Sequence, residues 1–229
     1  MLRYRAFFQG LRTSIPIMAG YLPVGFAFGV AAEGAQVGTA YALFTSIFIY
    51  AGASQFALVG LIKDGVPVVT AAFITISLNI RHFLYGPGIS GETEEFKVSQ
   101  RIITAFGLTD EVFSVAFSRI KGIPIESRFW WLLGLELGAY LCWIGSTISG
   151  SLGGKTLLNY FSFLSQALTF ALPALFFSML LSMLEKGRRL TVTISLAVAG
   201  IFHLFGQSEM GIIAAAFIGP ITSILWLKR

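Results

Sequence analysis

The chain has 229 residues, of which 55% are hydrophobic and only 12% are charged, about half the charged share of a soluble domain. This composition excludes a soluble globular or disordered chain and indicates a protein that crosses a membrane several times. The net charge of +5 does not indicate nucleic-acid binding, because the basic residues lie in short segments between apolar runs, where they act as topology signals.

Apolar runs bounded by charged residues follow one another along the whole chain. They cover residues 13–32, 34–62, 65–80 (to 91 if Arg81 is tolerated), 102–118, 129–154, 156–184, 190–208 and 210–227. Most of these runs are long enough for a helix to cross the hydrocarbon core of a bilayer. We therefore predict an all-α, polytopic membrane bundle of about eight spans, or seven spans plus a broken or half helix.

The polar segments between these runs are short. No polar segment is long enough to form a soluble core, so we expect residues 1–229 to form one membrane transport domain. Placing the amino terminus in the cytoplasm leaves few basic residues outside: Arg81, Lys97, Arg101 and Lys155. This bias predicts that both termini are cytoplasmic.

A weak internal repeat relates the two ends of the chain. Two pairs of segments match: LPVGFAF (22–28) with LPALFFS (172–178), and VPVVTAAFI (66–74) with MGIIAAAFI (210–218). With eight spans the repeat would be inverted, an architecture common among transporters. The predicted halves are 13–91 and 156–227, joined by 102–154.

Pro23 and Pro173 fall at matching positions of these halves. Proline removes a helix hydrogen bond, and interrupted helices at matching places in two halves indicate a transporter's binding site. We therefore predict that both prolines break their helices. The alternative is that each proline only kinks its helix, as prolines in membrane helices often do.

The run 102–118 carries two adjacent acids, Asp110 and Glu111, at its midpoint. As one helix it would rise roughly 26 Å, which places both carboxylates near the bilayer centre. Carboxylates there are costly unless they face protein or water, so Arg81 is expected to pair with one of them beside a cavity. A permanent clamp, or Arg81 reaching the outer headgroups, is the alternative. Asp110 could instead cap a half-helix that begins after Gly107 and exposes backbone N–H groups at mid-membrane.

Five segments together resemble the AzlC/YgaZ family of bacterial branched-chain amino acid exporters. They are GYLPVGFAFGV (20–30), YAGASQF (50–56), LNIRHFLYG (78–86), LTDEVFSV (108–115) and FALPALFFSML (170–180). The resemblance covers about residues 10–225 and implies a multi-pass transporter of the cytoplasmic membrane that exports leucine, isoleucine, valine and related apolar amino acids. It also implies a small hydrophobic partner of the AzlD/YgaH type.

Such a substrate is a zwitterion with an apolar side chain. We expect Asp110 or Glu111 to bind its ammonium group, and Arg81 with the ends of broken helices to bind its carboxylate. Four further polar side chains are expected to complete the site: Tyr50, Ser54, Gln55 and Asn79. Glu136 joins Asp110 and Glu111 as a candidate for proton coupling, although a packed, hydrogen-bonded acid is an equal alternative.

Other functions fit parts of the sequence. A cation or metal transporter would use the same acids with His82 and His203, but no ligand cluster is apparent. An intramembrane serine hydrolase would use Ser54 with His203 as base, but Gln55 replaces the second glycine of the expected turn. A subunit without transport activity would not need the buried acids. We therefore expect a transporter without catalytic residues, metal or cofactor.

Overall fold

The computed structural model describes residues 2–160, 177, 181 and 189–227. The described residues fold as helices joined by short turns, which confirms the all-helical prediction. Three segments are long and apolar enough to cross a membrane: Ile15–Gly34, Val68–Glu92 and Ile125–Gly154. A larger number of spans, about eight, stays a prediction. The chain divides into two compact units, Met1–Phe176 and Phe177–Arg229.

The first unit contains helices of very different lengths. In chain order they are α1 (Leu2–Thr13), α2 (Ile15–Gly34), α3 (Gly38–Phe48), α4 (Gly52–Lys63), α5 (Val68–Leu78), α6 (Tyr85–Ile89), α7 (Val98–Gly107), α8 (Asp110–Arg119) and α9 (Ile125–Tyr160). Short 3₁₀ helices lie at Ile80–Leu84, Ser90–Glu92 and Ile120–Gly122.

Helix α9 is the scaffold of this unit. Its 36 residues extend for about 54 Å, and α1, α2 and α3 pack along it. Large side chains at helical spacing on α9 are buried and form much of the core: Trp131, Leu132, Leu135 and Trp143. Glycines let the helices approach closely, since a Cβ atom on Gly29 of α2 would overlap the carbonyl oxygen of Thr147.

The apolar run 34–62 is two helices, α3 and α4, separated by a sharp turn. Tyr50 has a φ of +40°, and Ala51 is extended with φ −142° and ψ 96°. An L-residue with positive φ carries roughly 1–2 kcal/mol of strain, so the surrounding packing must hold this turn. The turn places the start of α4 in the interior of the first unit.

The run 102–118 is also two helices, α7 and α8. Leu108 and Thr109 are both extended between them, with ψ of 106° and 177°. The predicted start of a new helix after Gly107 is therefore confirmed, with one correction, and its place at mid-membrane stays a prediction. Thr109, not Asp110, is the N-cap, because its hydroxyl accepts a hydrogen bond of 3.4 Å from the Val112 N–H.

Proline 23 does not break its helix. Helix α2 is continuous from Ile15 to Gly34 with Pro23 inside it, so the prediction of a break at this residue is wrong. The residue is exposed on the outer surface of the helix, where its ring can project without displacing a neighbouring helix. The second predicted break, Pro173, lies outside the described residues.

In the second unit, α10 (Arg189–Leu204) and α11 (Ser208–Leu227) form a hairpin. Gly206 turns the chain between them with a φ of +72°. The hydroxyl groups of Thr191 and Ser223 are 2.7 Å apart and tie the two helices together. Because segment 172–178 lies largely outside the described residues, the inverted repeat and the single domain 1–229 stay predictions.

Candidate functional site

The starts of two helices meet at one cavity in the first unit. The cavity is narrow in this structure, with a volume of about 30 Å³, enough for about two water molecules. Its lining comes from α2, the α3–α4 turn, the 3₁₀ helix Ile80–Leu84, the α7–α8 turn with the start of α8, and α9. The lining residues are Tyr21, Val24, Tyr50, Ala51, Gly52, Ala53, Arg81, His82, Thr109, Asp110, Glu111 and Trp143.

Arg81 and Asp110 form an ion pair across this cavity. The Arg81 Nη2 atom lies 2.8 Å from Asp110 Oδ2, and the side chains are 37% and 20% exposed. The Tyr85 hydroxyl donates a hydrogen bond to the other carboxylate oxygen, Oδ1. Arg81 was predicted to pair with Asp110 or Glu111, and in the structure its partner is Asp110.

Glu111 is held by a different set of groups. The Tyr21 hydroxyl donates a hydrogen bond of 2.6 Å to Glu111 Oε2 and lies 2.7 Å from Thr109 Oγ1. The Arg81–Asp110 pair balances its own charge. An ionised Glu111 therefore gives the lining residues a net negative charge.

Tyr50 also lines this cavity. The side chain is only 4% exposed, and its buried hydroxyl makes no hydrogen bond of ordinary length with the residues that the structure describes. Aromatic contacts fix the ring between Tyr21 at 6.5 Å, Phe106 at 6.5 Å and Tyr140 at 4.9 Å between ring centroids. A buried hydroxyl without a partner is costly, so this group is suited to a polar ligand.

Three predicted site residues do not line the cavity. Ser54 and Gln55 are fully buried, and the Ser54 hydroxyl donates a hydrogen bond of 2.5 Å to Asn79 Oδ1. This contact joins α4 to the end of α5. The burial of Ser54 also argues against a serine hydrolase, because the hydroxyl is not presented to a substrate.

Gln55 is the centre of a buried hydrogen-bond network. Its Oε1 atom accepts from the Trp143 indole N–H at 3.1 Å, and its Nε2 atom donates to Ser46 at 3.0 Å and Thr45 at 3.3 Å. Ser46 continues the network to Thr147 at 3.1 Å. Gln55 therefore fixes Trp143, which does line the cavity, and connects α3 and α4 to α9.

Replacing Gln55 with leucine is expected to lower stability by about 1–3 kcal/mol, because it leaves the buried indole N–H of Trp143 without an acceptor. The melting temperature should fall by about 2–4 °C for each kcal/mol. Thermal unfolding of purified protein measures the change, with the exposed Gln9→Leu as control. Equal melting temperatures for the two variants would contradict the role assigned to Gln55.

The remaining ionisable candidates lie in separate places. Glu136 is 4% exposed, and its Oε1 atom has no hydrogen-bond partner within the described ranges. Its side chain packs against Gly107 at the end of α7, where an added Cβ would come within 2.6 Å of it. His82 lines the cavity and His203 belongs to α10. Among residues 2–160 and 189–227, no three His, Cys, Asp or Glu side chains are grouped to hold a metal ion.

Several residues of the cavity were not predicted from the sequence. Tyr21 and Trp143 are aromatic residues within apolar runs, and nothing in the sequence distinguishes them from residues of the core. Tyr85 belongs to the segment LNIRHFLYG, but its hydrogen bond to Asp110 was not predicted. Only the spacing of Tyr85 four residues after Arg81 could have suggested that both reach one acid.

The helices and the cavity define an α-helical membrane protein with an internal polar site between discontinuous helices, as in many transporters. Comparison with known proteins agrees with this class. Residues 16–157 match the model of the family described as "AzlC protein", and the chain belongs to the AzlC family. No solved structure matches the chain.

Relatives of the chain cover nearly its whole length. It is 44% identical to an "uncharacterized membrane protein" of Archaeoglobus fulgidus, over 95% of this chain and 94% of the relative. It is 34% identical to "inner membrane protein YgaZ" of Escherichia coli, over 96% and 90%. It is 26% identical to "branched-chain amino acid transport protein AzlC" of Bacillus subtilis, over 96% and 85%. The resemblance seen in the sequence is therefore confirmed.

Proposed function

We propose that this protein exports branched-chain and other apolar amino acids across the bacterial cytoplasmic membrane by alternating access. The observation that carries the proposal is the single cavity in which Glu111, the Arg81–Asp110 pair and two helix starts lie together. A zwitterion needs groups of both signs, and few other small solutes do. The relative from Bacillus subtilis, whose name includes branched-chain amino acid transport, supports this substrate class.

In a more open state of the alternating-access cycle, the apolar part of the substrate would lie against Val24, Trp143 and the methyl groups of Ala51 and Ala53, which line the same cavity. These groups do not need a hydrogen bond from the substrate side chain, so they favour an apolar side chain over a polar one. The site therefore favours leucine, isoleucine and valine over polar amino acids.

Export against a gradient requires an energy source, and Glu136 is the acid best suited to couple it to protons. Asp110 and Glu111 are held by Arg81 and Tyr21, whereas Glu136 has a buried oxygen without a partner among the described residues. Its contact with Gly107 connects it to the α7–α8 turn, which lines the cavity. A proton taken up or released by Glu136 would act on this turn.

A small AzlD/YgaH-type membrane subunit completes the proposed transporter, and we propose that both termini are cytoplasmic.

Inverted membrane vesicles turn export into accumulation, so labelled leucine should accumulate in vesicles that contain this chain and the partner. Unlabelled isoleucine and valine should compete, and divalent cations should not. Accumulation no greater than in vesicles without the chain would overturn the proposal.

Replacing Glu136 with glutamine is expected to remove the response of this accumulation to a pH gradient. Glutamine has nearly the same shape but cannot carry the exchanged proton, so leucine should still equilibrate down its own gradient. Leucine uptake is measured with and without an inside-acidic gradient, and the exposed Glu126→Gln serves as control. An unchanged pH response in Glu136→Gln would exclude this residue from coupling.

A further inference from the structure

The first turn of α4 faces the cavity without an internal cap. Ala51, Gly52 and Ala53 line the cavity, the N-cap residue Ala51 makes no side-chain capping bond, and the first turn contains no acid. The first N–H groups of any α-helix have no partner within the helix, and they carry a positive partial charge of about half an elementary charge. The start of α4 can therefore bind an anion.

The start of α8, on the same cavity, differs in each of these respects. Thr109 caps it, and its first turn contains both Asp110 and Glu111. These carboxylates already compensate the positive end of that helix dipole. Of the two helix starts, only that of α4 has a positive partial charge that no neighbouring acid in its first turn compensates, so this charge can attract an anionic ligand.

The Tyr50 hydroxyl is the second observation that points to a ligand at this place. Tyr50 precedes α4 by two residues, lines the same cavity and is 4% exposed, and its hydroxyl makes no hydrogen bond of ordinary length with the described residues. Its backbone is held at a φ of +40° by the surrounding rings. The turn therefore keeps a hydrogen-bond donor beside the N–H groups of Gly52 and Ala53.

We propose that the start of α4 and the Tyr50 hydroxyl form the subsite for the substrate's carboxylate, with the ammonium group on Glu111. This assignment rests on the proposed function and gives the zwitterion one orientation in the cavity. It replaces the expectation that Arg81 binds the carboxylate, because Asp110 already accepts Arg81 at 2.8 Å. Arg81 then acts as a positioning residue that holds the 3₁₀ segment against α8.

Three probes separate the two ends of the substrate. Leucine has both charged groups, 4-methylpentanoate has the carboxylate without the ammonium, and isopentylamine has the ammonium without the carboxylate. Their equilibrium binding is measured on the full-length chain purified together with its small membrane partner in lipid nanodiscs. The ratio of leucine affinity to isopentylamine affinity reports the carboxylate subsite alone.

Tyr50→Phe removes only the hydroxyl and keeps the ring contacts. It should weaken leucine and 4-methylpentanoate binding about tenfold, the equivalent of roughly 1.4 kcal/mol, and leave isopentylamine unchanged. Tyr41→Phe is the matched control. Tyr41 also has a hydroxyl without a partner among the described residues, but it lines a separate apolar groove between α3 and α5.

Ala53→Asp places a carboxylate in the first turn of α4, as Asp110 does in α8. Leucine binding should fall at least about 30-fold, whereas isopentylamine should bind as well as before or better, because the new charge attracts an ammonium group. Ala53→Asn has the same size without the charge and should have a much smaller effect.

The outcomes distinguish the subsite from the function on which it rests. A wild-type chain that binds no leucine overturns the proposed function and the subsite with it. A wild-type chain that binds leucine, together with Tyr50→Phe and Ala53→Asp variants that keep the wild-type ratio of leucine to isopentylamine affinity, overturns the subsite alone.

Discussion

Replacing Glu111 with glutamine is expected to weaken leucine binding about 100-fold and to reduce leucine accumulation in vesicles to background. Removing one partner of a desolvated charge pair costs about 2–5 kcal/mol, and 100-fold corresponds to about 2.7 kcal/mol. Glutamine keeps an oxygen that can accept the 2.6 Å hydrogen bond from Tyr21, so the change removes the charge and little else.

The substrate analogues make this result specific. Leucine and isopentylamine should both lose affinity for Glu111→Gln, because each brings an ammonium group, and 4-methylpentanoate should not. The exposed Glu126→Gln is the control for a change of net charge on the protein. Equal losses for all three ligands would indicate a collapsed cavity, and wild-type leucine binding would show that the ammonium group binds elsewhere.

The ion pair was predictable because few partners exist for a charge inside an apolar chain. Arg81 and the two acids are among the few ionisable residues within long apolar runs, and each is costly there without a counter-charge. The sequence therefore indicated that they meet. It did not indicate which acid pairs with Arg81, because the sequence does not show which of the two adjacent side chains, Asp110 or Glu111, faces Arg81.

Pro23 does not mark a helix break, although proline in an apolar run predicted one. Pro23 removes one hydrogen bond, but it lies on the exposed side of α2 and the helix continues through it. The break between α3 and α4 occurs at Ile49, Tyr50 and Ala51, none of which is a helix breaker, so it depends on tertiary packing. The break before α8 had a local signal, since Thr109 followed by two acids is typical of a helix start.

The polar residues at and just before the start of α4 show another limit of prediction from the sequence. Tyr50, Ser54 and Gln55 lie within one short segment, and composition alone cannot say which of them face a cavity. The turn at Tyr50 directs that ring into the site, while Gln55 points to Trp143 and Ser54 to Asn79. A count of apolar runs assumes straight helices and cannot reproduce these directions.

Two walls of the cavity meet at the contact between α2 and α9, since Tyr21 belongs to α2 and Trp143 belongs to α9. That contact is made by glycines at positions where the two backbones nearly touch. A Cβ atom on Gly150 would overlap the carbonyl oxygen of Phe26, just as one on Gly29 would overlap Thr147. Neither obstacle is a flexible side chain, so the helices must separate to admit a larger residue.

Replacing Gly150 with valine is therefore expected to destabilise the protein by about 3 kcal/mol, the upper part of the usual range for overpacked cores. The melting temperature should fall by roughly 6–12 °C. Gly145→Val is the matched control on the same helix, because a Cβ at Gly145 meets nothing within 4 Å. Thermal unfolding of the two purified variants compares them directly. If both valines lower the melting temperature equally, close approach of α2 and α9 is not what holds the cavity together.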